Sequence, residues 1–161
     1  MAAVTAMLVL LGGIAAQRAL TARPGDSAGA GQHVPAEGTY ANGELPNDAL
    51  VAITGGFRLS RPAAAAFGRL EAAALAAGFA LQVNSAYRSY DEQVAMVEDY
   101  GLLSEGGRAA EPGTSEHGWG TAVDLTLDAD QLAWFQANAG QCGFQATIPG
   151  EPWHWAYVGE T

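Results

Sequence analysis

Two imidazoles and two carboxylates are the groups in this sequence whose types and spacing suit chemistry. His117 and Asp124 stand seven positions apart within PGTSEHGWGTAVDL (Pro112 to Leu125), and Glu151 and His154 follow near the C-terminus in EPWH. Nitrogen and oxygen donors of this kind suit zinc, which in a catalytic site takes three protein ligands and keeps one position for water. His117, Asp124 and His154 supply the three, and Glu151 is left over as a base. Singly, each histidine reads more simply as a hydrogen-bonded structural residue, and Asp124 as a turn or cap residue. Together, a His-x6-Asp turn with a remote Glu-x-x-His implies a metallopeptidase pattern. His33, the remaining histidine, falls in linker-type sequence and is expected to be idle.

This assignment requires the chain to turn. A straight strand rises about 3.3 Å per residue, so seven residues would hold the two side chains roughly 23 Å apart, too far to share an ion. Gly118 and Gly120 are expected to double the backbone back, because glycine takes φ > 0 without steric cost. Thr121 to Leu125 then reads as a short strand with Ala122 and Asp124 on one face. The last strand is expected over Trp153 to Val158, with His154, Ala156 and Val158 on one face and Trp153, Trp155 and Tyr157 packing elsewhere.

The elements that must hold these groups are legible from Asn42 onward. Asn42-Gly43 is a turn signal, and Leu45, Leu50, Val51 and Ile53 are the first apolar anchors. Ser60 is expected to cap a helix with Pro62 in its first turn, ending at Gly78, with Phe67, Leu70 and Ala74 on one apolar face. Phe79 to Asn84 alternates as a strand does and delivers Arg88 to a strand-to-helix corner. Ser89 and Glu92 have capping-box spacing for a helix running to Gly101. Ser104 to Glu111 reads as a polar loop, and Asp128 caps a helix through Trp134 and Phe135 that ends at Gly140.

Composition bounds the rest. The 161 residues suit one domain with something extra, and the extra is Met1 to Ala16, apolar and uncharged until Arg18. Residues 1–22 are expected to be a signal peptide or N-terminal membrane anchor, 23–41 a flexible linker and 42–161 the domain, exported and extracellular. A net charge of -10, with seven arginines and no lysine, argues against nucleic acid or an anionic membrane surface as partner. Cys142 is the only cysteine, so no intramolecular disulfide forms and a buried thiol is expected. A monomer is the expectation.

Three blocks, SAYRSYDEQ (Ser85 to Gln93), PGTSEHGWGTAVDL and EPWHWAYV (Glu151 to Val158), resemble the D-alanyl-D-alanine carboxypeptidase family of zinc peptidases. These are the VanY-type relatives of the group that includes lysostaphin and hedgehog domains, and the similarity extends from about Asn42, with its NGxLP opening, to the C-terminus. The resemblance implies an α+β fold with a small central antiparallel sheet flanked by helices. It also implies one zinc ion on His117, Asp124 and His154, Glu151 as catalytic base, and Arg88 and Ser115 as substrate-binding residues. The implied substrate is a peptidoglycan stem peptide that loses its terminal D-alanine. Only six residues separate Phe144 from Glu151, a shorter rim than the family often has, which implies a more open cleft. An endopeptidase cutting within the stem or cross-bridge is therefore the alternative, and a non-catalytic zinc-stabilised binding domain a second one.

Overall fold

The computed structural model describes residues 40–159, and its architecture is the expected α+β one. A hairpin of β1 (Leu50–Ala52) and β2 (Arg58–Ser60) feeds helix α1 (Arg61–Ala76). Four strands then build the central antiparallel sheet in the order β3 (Gln82–Ser85), β4 (Ala122–Thr126), β6 (His154–Tyr157), β5 (Phe144–Gln145). Helix α2 (Tyr90–Tyr100) leaves the end of β3, and α3 (Ala129–Asn138) follows β4.

Helix α1 starts with Pro62 in its first turn, where a missing N–H leaves no hydrogen bond unmade. Ser60 does not cap it through its side chain, contrary to expectation. That residue is buried at the end of β2, where its N–H donates to Gly120 O at 2.8 Å. The alanine-rich helix buries Ala63, Ala66, Phe67, Leu70 and Ala74 completely, an i, i+3, i+4 stripe against the sheet. Phe67 meets Phe144 edge-on at 6.0 Å, and Phe135 of α3 meets Trp155 of β6 at 5.2 Å, which closes the core.

Strand β3 is shorter and later than its alternation suggests. Gly78, with φ 91°, ends α1, and the Phe79 N–H returns to Ala74 O at 2.9 Å, so the chain is still closing the helix there. Pairing begins only at Gln82 and carries a bulge between Val83 and Ser85. The two capping boxes form: Ser89 with Glu92 opens α2, and Asp128 with Gln131 opens α3. Cys142 is half-buried at the core edge and free, not fully buried as expected. No helix among the described residues is long and apolar enough to cross a membrane. The segment read as a signal or anchor, and His33 with nearly all of the linker, lie outside them.

Candidate functional site

Strand register assembles the site. In the antiparallel pair β4–β6, Asp124 stands opposite His154, and on its other side Asp124 faces Ser85 of β3. The adjacent pair, Val123 and Trp155, belongs to the core, so alternation alone puts one pair in the dry interior and the next at the sheet's other surface. His117 arrives from a short 3₁₀ turn (Glu116–Trp119) that is closed by Gly120 in the left-handed region at φ 63°. The expected reversal is therefore real, but the two glycines serve it differently. Gly118 keeps negative φ and is needed for space: a Cβ there would lie 2.0 Å from Asn42 Oδ1, whose side chain donates to Ser115 O at 2.7 Å.

The three donors converge. Among the described residues, ligand atoms of His117, Asp124 and His154 lie within 4.8 Å of one another. Asp124 spreads its two oxygens between the imidazoles, Oδ2 at 3.3 Å from His117 Nε2 and Oδ1 at 3.1 Å from His154 Nδ1. Two imidazole nitrogens and a carboxylate oxygen within 4.8 Å of one another are the donor types that suit zinc. His117 Nδ1 lies 2.7 Å from Ala86 O and donates to it, which fixes the ring with its Nε2 edge toward Asp124.

Electrostatics agree with a cation at this point. Burial would depress the His154 pKa, but hydrogen bonds to Asp124 and Glu116 outweigh it and push it up to about 9. Asp124 is held well below the usual carboxylate range, its burial overcome by hydrogen bonds from the two histidines. Without metal, a proton on His154 supplies the positive charge that the surrounding carboxylates favour.

These groups line a cleft of about 710 Å³. Arg88, at the β3-to-α2 corner, is half-buried and lines it; Arg88 donates to Gln93 Oε1 at 2.7 Å and Ser85 Oγ at 3.1 Å, and no carboxylate pairs with it among the described residues. Desolvation lowers its pKa, which the fields of Asp124 and Glu92 oppose. Ser115 is buried; its hydroxyl accepts from the His117 N–H at 3.3 Å, and so it caps the turn that carries His117. Glu151 lines the same cleft from the β5–β6 loop, and its carboxylate has no hydrogen-bond partner among the described residues. Trp153, expected to pack with Trp155, instead precedes β6 and stands 45% exposed on the cleft wall.

Three contributors escaped the sequence reading. Glu116 binds His154 Nε2 at 2.8 Å and Thr147 Oγ1 at 2.6 Å. Buried Gln93 joins Arg88 to Ala110 O, tying the guanidinium to the loop 101–110. From that loop Arg108 lies over the Tyr100 ring at 5.7 Å and forms part of the cleft lining. Only Glu116 had a local signal, an acid directly before a candidate ligand.

Known proteins resemble this chain. A curated D-alanyl-D-alanine carboxypeptidase of Enterococcus faecalis (strain ATCC 700802 / V583) is 34% identical over 43% of this chain, which spans only 34% of that relative's length. Among solved structures, VanYB in complex with D-alanine-D-alanine superposes with a TM-score of 0.59 at 27% identity, covering 68% of this chain and 77% of that one. The LdcB LD-carboxypeptidase does so with a TM-score of 0.62 at 28% identity, covering 80% and 76%. A family model, VanY: D-alanyl-D-alanine carboxypeptidase, matches residues 56–160, and on that match, which takes in every donor of the site, this chain belongs to the VanY family.

Proposed function

We propose that the protein is a zinc-dependent peptidase of peptidoglycan stem peptides, acting most readily as a D-alanyl-D-alanine carboxypeptidase outside the cytoplasmic membrane. The observation that carries this reading is the convergence of His117, Asp124 and His154 in a cleft that also holds an arginine without a carboxylate partner. A zinc ion held by the three donors supplies a Lewis acid for the scissile carbonyl and for the attacking water.

The chain's own residues do the rest. Glu151 takes a proton from the water as its oxygen bonds to the carbonyl carbon, and gives that proton to the amine nitrogen as the C–N bond breaks. The products are a shortened stem with a free carboxylate and free D-alanine. Arg88 offers a planar fork to the substrate's terminal carboxylate, and Gln93 and Ser85 hold that fork in place. Ser115 lines the cleft beside His117 and helps to hold the substrate there. A substrate's terminal carboxylate would receive charge-assisted, fork-shaped hydrogen bonds from this guanidinium, a contact that an internal peptide bond does not offer, which favours exopeptidase over internal cleavage.

The short loop 146–153 leaves the cleft open and favours one second reading, an endopeptidase that admits an internal stem bond. Purified muropeptides incubated with the full chain and weighed by mass spectrometry separate the cases. Loss of one terminal alanine from pentapeptide stems is expected, abolished by chelator and restored by zinc. Loss from tetrapeptide stems alone would reassign the preference to an L,D bond, internal fragments would favour the endopeptidase, and no product with zinc present would overturn the peptidase reading.

A further inference from the structure

The carboxylate closest to the donor cluster that has no part in the mechanism above is Glu116. Its placement is specific. His154 is almost fully buried, and its two ring nitrogens meet different acids: Nδ1 lies 3.1 Å from Asp124 Oδ1, and Nε2 lies 2.8 Å from Glu116 Oε2. The same Glu116 oxygen accepts from Thr147 Oγ1 at 2.6 Å. Thr147 belongs to the loop between β5 and β6 that also carries Glu151. An imidazole with one nitrogen on a metal keeps its proton on the other, and a carboxylate there selects that tautomer, orients the ring and raises the basicity of the ligating nitrogen.

We propose that Glu116 is a positioning residue: it holds the proton on His154 Nε2, leaves the Nδ1 lone pair for the metal, and through Thr147 anchors the loop that bears Glu151. The inference rests on the metal-centre reading given above. Glu116 lies on the Nε2 side, while the three-donor cluster is reached through the Nδ1 that faces Asp124, so Glu116 supports the ligand set without joining it.

Zinc affinity of the full chain, measured by competition with a chromophoric chelator, tests this without any peptidase assay. Glu116→Ala is expected to weaken zinc binding by about 10- to 100-fold. Glu116→Gln keeps an acceptor without charge and should fall between Ala and wild type, as should Thr147→Val. Nitrogen-15 spectra of the zinc-loaded wild type should show His154 protonated at Nε2 and ligated at Nδ1. An affinity within twofold of wild type in Glu116→Ala, or a spectrum with the proton on Nδ1, would overturn the proposal. If Glu116→Ala does not fold, the Gln variant and the wild-type spectrum decide the matter. Should wild type bind no zinc, the metal reading itself fails; should it bind zinc tightly yet release no product, only the peptidase reading does.

Discussion

The two faces of the β4–β6 strand pair differ by one residue step and by everything chemical. On one face Val123 and Trp155 join Phe67, Phe135 and Phe144 in a core whose fully buried members carry no titratable group. On the other, Asp124 and His154 stand at hydrogen-bonding distance among Glu116, His117 and Arg88. The first face supplies stability through area and shape, which other apolar side chains of similar volume can approximate. The second depends on atom identity, since no substitute for a ring nitrogen or a carboxylate oxygen keeps its lone pair in place. Damage to the two faces should therefore separate cleanly into loss of folding and loss of chemistry.

Glu151→Gln tests the chemical side most severely. Loss of the base should lower kcat by about 10²- to 10⁴-fold, some 3–5 kcal/mol at the barrier, with zinc affinity and Tm unchanged. Unaltered wall-degrading activity in this variant would instead favour a binding module and remove Glu151 from the mechanism. Phe67→Ala is the mirror test. The residue is fully buried against Phe144, so the change should destabilise by about 3–5 kcal/mol, measured by urea unfolding, while the surviving folded protein still binds zinc with wild-type affinity. Weakened zinc binding there would mean that the two faces are coupled.

Arg88→Ala sits between the extremes. It should lower kcat/KM for stems with a free C-terminal carboxylate by about 10- to 100-fold and barely change any internal cleavage. An unaltered ratio of terminal to internal products would refute the carboxylate-reading role. The smallest effect belongs to the helix that follows Arg88. Ser89→Ala should cost about 1 kcal/mol through loss of the α2 cap. Hydrogen bonds from Ser89 hold the Glu92 pKa below its ordinary 4.5. Its stabilisation is then complete above pH 4.5 and fades as pH falls through the depressed folded value. The stability gap between wild type and Glu92→Gln, followed by thermal melts, should shrink accordingly; a gap constant from pH 7 to pH 3 would show that the cap carries no charge effect.

Legibility followed the range of the interaction. The capping box at Ser89 and the cap at Asp128 were readable because donor and acceptor are three residues apart. Ser60 holds the N-cap position of α1 as expected but makes no side-chain cap, and Pro62 in the first turn has no N–H to offer it. The β3 boundary was missed because the closing of α1 competes with sheet pairing for the residues after Gly78, and alternation carries no record of that competition.

What the sequence determined by itself was the inventory of donors, their order and the glycine-bounded turn, because residue chemistry and short-range backbone freedom travel with the chain. Tertiary structure alone decided that Asp124 pairs with His154 rather than with a neighbour one step away, and that Gly118 is needed for Asn42 rather than for positive φ. It also decided that Glu116 turns to the far nitrogen of His154. Register, close approach and side-chain direction are relations between segments distant in sequence, and packing is what sets them.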